Sequence, residues 1–280
     1  GCQTNDFNES DRAVFQRLVE AHKQYGASTK DWPTHEFQTT QIQPYVIIAP
    51  RYSPKLFAPY VKSVVQVANG RFPVFEIETN QGQKLSFIRV GVGACNTIDA
   101  VLALAGTSCQ KVLFIGAVGS LTKDADIGDI IVPSKSVCGV GADLYLTTGS
   151  FLKNNVIGKS YASDSESSAK LTRLAQRFST GDRIQVVDKK VCSIDSIIGE
   201  YPHIPEIKKI GCNAVEMETA TLFHSAKVIN VKATALLYVT DCTLQGQSLY
   251  YGRTEKSEKR KLKTKKEIIP QVVIEFFQKS

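Results

Sequence analysis

The chain is 280 residues long, with 42% hydrophobic and 22% charged residues, enough for one large domain whose core needs no covalent staple. No apolar run reaches the roughly 18 residues that mark a membrane-spanning helix. The net charge of +7 is local: residues 253–266 hold eight basic and two acidic side chains, so the rest is nearly neutral and argues against a nucleic-acid partner.

Residues 1–40 read as a polar, partly helical extension, with Ala13, Phe15, Leu18, Val19 and His22 near helical spacing and Asp11 available as a cap. From residue 41 to 280 strands alternate with helices in one domain. Tyr45 to Ala49 reads as a buried strand, and Lys55 to Ala68 as a helix whose start Pro59 limits. Val74 to Thr79 and Leu85 to Val90 form a hairpin pair around Asn80-Gln81-Gly82. Asn96 to Ala105 is an apolar helix, Lys111 to Ile115 a buried strand, and Ile130 to Pro133 a strand after an Ile-Gly-Asp turn. Ser165 to Phe178 is an amphipathic helix, Arg183 to Val191 a strand, Ala220 to Lys227 a helix and Thr234 to Val239 a buried strand. The basic run 253–266 reads as a solvated face or loop, with a polyanion-binding tail as the alternative, and Ile268 to Phe277 as the last helix, with Pro270 in its first turn. The alternation predicts an α/β fold: a central twisted sheet, mixed but mostly parallel, flanked by helices. Ligands bind such sheets at the carboxyl ends of strands.

Seven cysteines, with no CxxC or Cys/His metal spacing, suit a reducing compartment, and Cys95, Cys212 and Cys242 read as small buried thiols. The only methionine is Met217. A cytoplasmic location is the expectation. The alternative is an exported chain anchored by a lipid on Cys2, which polar residues follow.

Four segments are candidates for chemistry. Gly91-Val92-Gly93-Ala94-Cys95-Asn96-Thr97 leads from a strand into a helix, where free N–H groups favour an anion; a GxG there is more often only a tight turn. Gly116-Ala117-Val118-Gly119-Ser120 ends a strand, either turning or approaching a ligand. Val215-Glu216-Met217-Glu218 precedes an apolar helix. Its carboxylates are either helix-capping groups or a clamp for two ribose hydroxyls, since one carboxylate accepts two hydrogen bonds. A strand delivers Asp241, which either caps a turn or acts as a general acid if burial raises its pKa.

In this order and spacing, from about Tyr45 to Phe277, the segments resemble the nucleoside phosphorylase and nucleosidase superfamily, which includes purine nucleoside phosphorylases, uridine phosphorylases and methylthioadenosine/S-adenosylhomocysteine nucleosidases. The resemblance implies cleavage of an N-glycosidic bond, with Glu218, Met217 and Glu216 at the ribose. It places Asp241 as the proton donor to the base, assisted by Arg253, and Ser193, Asp195 and Ile197 beside the base. It assigns phosphate to Lys55, Arg51, Gly93, Asn96, Thr97, Gly116 and Ala117. It also implies a homo-oligomer, no metal or organic cofactor, and inorganic phosphate as co-substrate.

The phosphate half departs from the family pattern. Phe114 stands where an Arg is usual, and Ala117 where a Ser is usual. Phosphorolysis of a purine nucleoside is the preferred reading. A hydrolytic nucleosidase is the first alternative, although no acid between Arg51 and Phe57 can activate water. A uridine-type phosphorylase using Gln245, Gln247 and Arg253 is the second, and a non-catalytic nucleoside- or base-binding relative the third.

Overall fold

The computed structural model describes residues 8–26, 32–39, 41–181, 183–247 and 252–278; Cys2 lies outside them. The first helix, α1 (Glu9–Tyr25), is capped by Asn8 and not by Asp11: the Asn8 side chain accepts the Ser10 N–H at 2.8 Å, and Asp11 falls inside the first turn. Strand β1 (Tyr45–Ala49) follows. The stretch 55–68 is not one helix. Pro54 and Pro59 limit Pro54–Tyr60 to a 3-10 segment, and the β-branched Val64, Val65 and Val67 continue as β2 (Ser63–Asn69). Strands β3 (Pro73–Glu78) and β4 (Lys84–Arg89) complete an antiparallel ribbon.

Helix α2 (Ala94–Ala103) starts two residues before the expected Asn96, and β5 (Lys111–Ser120) runs five residues beyond the expected Ile115. Then come β6 (Ile130–Ile131), β7 (Lys135–Gly139), β8 (Ser160–Ala162) and α3 (Ser165–Phe178). The single strand expected over 183–191 is two pieces, β9 (Val186–Val187) and β10 (Val191–Ile194). The strand is interrupted between them, where the Asp188 carboxylate accepts the Ser134 N–H at 2.9 Å. Helix α4 (Ile204–Lys209), strand β11 (Ala214–Glu216), helix α5 (Thr219–Val228) and strand β12 (Lys232–Cys242) follow. The basic run is helix and not loop: α6 (Glu255–Lys263) passes through a π turn, Thr264–Ile268, into α7 (Ile269–Phe277).

The described strands form one mixed sheet in the order β2-β3-β4-β1-β5-β11-β10-β7-β8, with β12 on β5 and a short β6–β9 extension beyond it. The side chains of β5 alternate between two cores. Val112 and Phe114 join Val101, Leu222, Phe223 and Leu237 on one face; Leu113 and Ile115 join Leu171, Leu236, Val272 and Phe276 on the other. Helices α2 and α5 thus cover one face, and α3 and α7 the other. Burial on both faces is why β5 and β12 read as unbroken apolar runs and not as alternation. Helix α1 packs on α5, and Arg17 ties it to the 147 and 149 carbonyls at 2.9 and 2.8 Å. The six described cysteines are free thiols, five of them buried; Cys95 is exposed, contrary to its apolar sequence context. Among the described residues no helix is long and apolar enough to cross a membrane.

The site follows from a split in this sheet. Strand β5 pairs with β1 as far as Ile48 opposite Phe114, and on the same side meets β11 only at Gly119 and Ser120. Between those registers the β5 backbone is held by β12 alone, from Leu236 opposite Ile115 to Val239 opposite Val118. The gap opens at the carboxyl end of β1.

Candidate active site

The gap is a cavity of about 320 Å³, within the range of small-molecule pockets. Its walls are the end of β1 (Pro50, Arg51, Tyr52), Gly116–Gly119 of β5, and Val215–Glu218 at the end of β11. Tyr238, Thr240 and Asp241 of β12 close one side, and Ile194, Ile197 and Glu200 follow from β10. Arg253, Lys261 and Lys265 complete the lining.

Glu216 and Glu218, two residues apart, have opposite fates. Glu216 accepts four hydrogen bonds: from the Ser193 hydroxyl at 2.5 Å, the Glu218 and Thr219 N–H groups at 2.6 and 2.8 Å, and the Thr219 hydroxyl at 2.7 Å. Those donors use its lone-pair sites and satisfy the first turn of α5, so Glu216 is the capping group. Glu218 accepts one bond, from the Gly93 N–H at 2.7 Å, and otherwise faces the cavity. Burial first, and then the charge of Glu216, push its carboxyl up to about 8.

That bond also answers the Gly91–Thr97 motif. The acceptor at the start of α2 is the protein's own Glu218 carboxyl. Gly91 and Gly93 hold φ of 79° and 107°, which side-chain-bearing residues rarely adopt. Asn96 donates to the Val92 carbonyl at 3.2 Å and Thr97 to the Gly93 carbonyl at 3.3 Å; neither they nor Gly93 line the cavity. Lys55 is exposed and also lies outside the lining. Arg51, Gly116 and Ala117 do line it. Phe114 is fully buried in the core, and Gly116 lies flat on its ring, where a Cβ would meet Phe114 Cε1 at 2.6 Å.

On the base side of the expected site, Ser193 and Asp195 are committed elsewhere. Ser193 is fully buried between Glu216 and the Ala220 N–H, and Asp195 is exposed and accepts the Gly141 N–H at 3.0 Å. Ile197 lines the cavity, joined by Ile194, which sequence reading passed over. Asp241 is 5% exposed. Burial raises its pKa, against a hydrogen bond from the Thr240 hydroxyl at 2.8 Å and the charge of Arg253. Its carboxylate needs Gly119 beneath it, where a Cβ would stand 2.7 Å from Oδ2. Arg253 donates from Nε to the Thr240 carbonyl at 2.6 Å and pairs with Glu258 at 3.3 Å, steadying the turn that carries Asp241.

Three functional candidates were not read from sequence. Lys261 and Lys265 lie one helical turn apart in the basic run, in register with the buried Ser257 and Ile268, and that spacing was available. Lys261 is paired with Glu258 at 2.9 Å; Lys265 has no side-chain partner among the described residues, and burial, with the charges of Lys261 and Lys266, lowers its pKa. The third is Glu200, in a turn with no local signature.

The phosphorylase superfamily model matches residues 52–273. A 5'-methylthioadenosine/S-adenosylhomocysteine nucleosidase of Actinobacillus succinogenes is 25% identical over 175 residues, covering 61% of this chain and 74% of its own. A purine nucleoside phosphorylase DeoD-type 2 of Vibrio cholerae is 26% identical over 228 residues, 79% of this chain and 89% of its own. Two solved structures share the fold. The purine nucleoside phosphorylase from Toxoplasma gondii, in complex with immucillin-H, has a TM-score of 0.67 at 20% identity, over 84% of this chain and 90% of its own. The uridine phosphorylase from Vibrio fischeri has 0.66 at 19%, over 85% and 93%.

Proposed function

Since the chain belongs to the phosphorylase superfamily, we propose that it phosphorolyses a purine nucleoside. An oxygen of inorganic phosphate bonds to C1′ of the ribose as the C1′–N bond breaks. The electron pair leaves with the base, and a proton reaches the base nitrogen from Asp241. Glu218 binds the ribose hydroxyls and Met217 packs against the sugar. Arg253 holds the Thr240–Asp241 turn. The step asks only for charge stabilisation and one proton transfer.

The observation that carries this reading is one cavity holding Glu218, Met217 and Asp241 together with two cations, Arg51 and Lys265, whose side chains have no partner among the described residues. Phosphate belongs between those cations, beside the Gly116–Ala117 backbone. Arg51 and Lys265 then replace the cation lost where Phe114 enters the core. Lys55, Gly93, Asn96 and Thr97 drop out of the phosphate site, and Ser193 and Asp195 out of the base site.

Hydrolysis is the second reading, favoured by the side chains at Phe114 and Ala117. One experiment separates the two: base release from inosine and adenosine by purified protein, with and without phosphate. Release that requires phosphate is expected, and equal release in its absence overturns phosphorolysis in favour of water.

A further inference from the structure

Glu200 is an acid of the cavity that this chemistry leaves unused. It sits in the turn after β10, just before the 3-10 segment Tyr201–His203. Its backbone carbonyl accepts the His203 N–H at 2.8 Å, but its carboxyl caps nothing. The side chain lines the cavity while the residue is only 7% exposed, and it has no hydrogen-bond or ion-pair partner among the described residues. A carboxyl that opens only onto a partly desolvated cavity is costly as an anion, so such groups tend to stay neutral or meet a ligand there.

Its neighbours narrow the choice. Asp241 reaches the same cavity from β12, close enough for its charge to act on Glu200. Two carboxyls facing one cavity disfavour each other's ionisation, so the charge of one favours a proton on the other. The other charged and titratable groups of the lining fall into three sets. Arg253 and Tyr238 stand on the Asp241 side, and Arg253 is turned to the Thr240 carbonyl and Glu258. Arg51, Tyr52, Lys261 and Lys265 form the wall assigned to phosphate. Glu216 and Glu218 are held by the donors described above. Among the described residues of the lining, the acid beside Asp241 that accepts no hydrogen bond is Glu200. A negative group there repels an attacking anion, which places Glu200 with the leaving base and not with the nucleophile.

Resting on the nucleoside-cleaving reading, we propose that Glu200 is a positioning residue for proton delivery, forming with Asp241 a carboxyl pair that keeps one proton at the leaving base. As the C1′–N bond breaks, that proton passes from Asp241 to a ring nitrogen, and the pair becomes two carboxylates. Water returns the proton once the base departs. The burial of Glu200 and the charge of Asp241, which push its pKa up to about 7, fit a pair that holds its proton near neutrality.

The test compares wild type, Glu200→Gln and Glu200→Asp on inosine, whose base must be protonated, and 7-methylguanosine, whose base already carries a positive charge and needs no proton. With inosine, the alkaline limb of the kcat/KM profile moves to lower pH in Glu200→Gln, and activity at pH 8 falls about tenfold for each unit of movement. Glu200→Asp keeps the pair and stays near wild type. With 7-methylguanosine the alkaline limb stays in place in all three proteins, and any loss in Glu200→Gln is smaller than with inosine. An unmoved limb in Glu200→Gln, or equal losses on both substrates, overturns the pair. If Glu200→Gln does not fold, a Glu200→Asp profile that has lost its limb overturns it too. Wild type that cleaves neither nucleoside, with or without phosphate, sinks the proposed function itself and the pair with it.

Discussion

Glu216 and Glu218 share a motif, a charge and nearly the same burial, yet substituting them should produce opposite phenotypes. Glu216 satisfies two backbone donors at the start of α5 and two hydroxyls. Replacing it with Ala leaves those groups buried and unpaired, at a cost of about 3 kcal/mol. Glu218 has one bond, and burial disfavours its charge. Glu218→Ala should hold or raise the urea midpoint while lowering kcat/KM at least about 100-fold, the worth of a charge-assisted contact to the sugar. A Glu216→Ala protein as stable as wild type would contradict the capping assignment. At this scale the sequence brings several of its candidates to one cavity wall and leaves their partners unread. Glu218, Met217, Asp241, Arg253, Ile197, Arg51, Gly116 and Ala117 do line one cavity. Gly93, however, donates to a carboxylate 125 positions away, and Ser193 to one 23 away. No local pattern reveals such pairings, so an apparent anion cradle read at Gly93 was already filled from within.

Among the elements, the π turn between α6 and α7 has a definite cause and a functional consequence. In it the Ile269 N–H reaches back five residues to the Thr264 carbonyl. The next donor in that register, for the Lys265 carbonyl, would be residue 270, which is proline and has no N–H. The Tyr52 hydroxyl supplies the missing bond at 2.5 Å, and burial holds that phenol well above its ordinary pKa, so it remains a donor. This cross-link ties the segment after β1 to the backbone of Lys265, and so fixes the two unpartnered cations relative to one another. Tyr52→Phe leaves a carbonyl short of a donor, costing about 1–3 kcal/mol. With Lys265 loosened, KM for phosphate should rise several-fold while KM for the nucleoside changes little; Lys265→Met should raise KM for phosphate about tenfold or more. Steady-state kinetics with each substrate varied in turn checks both, and a nucleoside-only effect would move phosphate away from this wall. The pattern of charge and proline was legible here, but not its result. A stretch with eight basic residues reads as solvated until Ser257, Lys261, Lys265 and Ile268 are placed on one helical face. The long reach of β5 was hidden for a related reason. Gly116 and Gly119 look like strand breakers, yet each is required inside the strand, one by the Phe114 ring and the other by the Asp241 carboxylate.

Across the molecule, the cavity gathers buried acids that the empty fold holds at an energetic disadvantage, and this sets the pH dependence of stability. Burial is the largest cause for both Glu200, pushed up to about 7, and Glu218, pushed up to about 8. In the unfolded chain each titrates near its ordinary value of about 4.3. Between those limits the native state binds more protons than the unfolded state, so unfolding free energy falls as pH rises. Their stabilising contribution is complete below the unfolded value and lost once pH has passed about 7 for Glu200 and about 8 for Glu218. Lys111, half-buried, and Lys227, whose charged forms partial desolvation disfavours so that their pKa values are lowered, act in the opposite sense, with stability rising as pH climbs from their folded value toward the ordinary lysine range. Urea midpoints measured from pH 5 to 8 should therefore decline steadily. Glu200→Gln should flatten the part of the curve that ends near pH 7, and Glu218→Gln the part that continues to pH 8. A midpoint that is level or climbs across this range would mean that these acids are solvated or paired in the native protein. A nucleoside whose ribose hydroxyls donate hydrogen bonds to Glu218 relieves the same disadvantage, so added ligand should raise the midpoint most at pH 8, where the buried charge costs most.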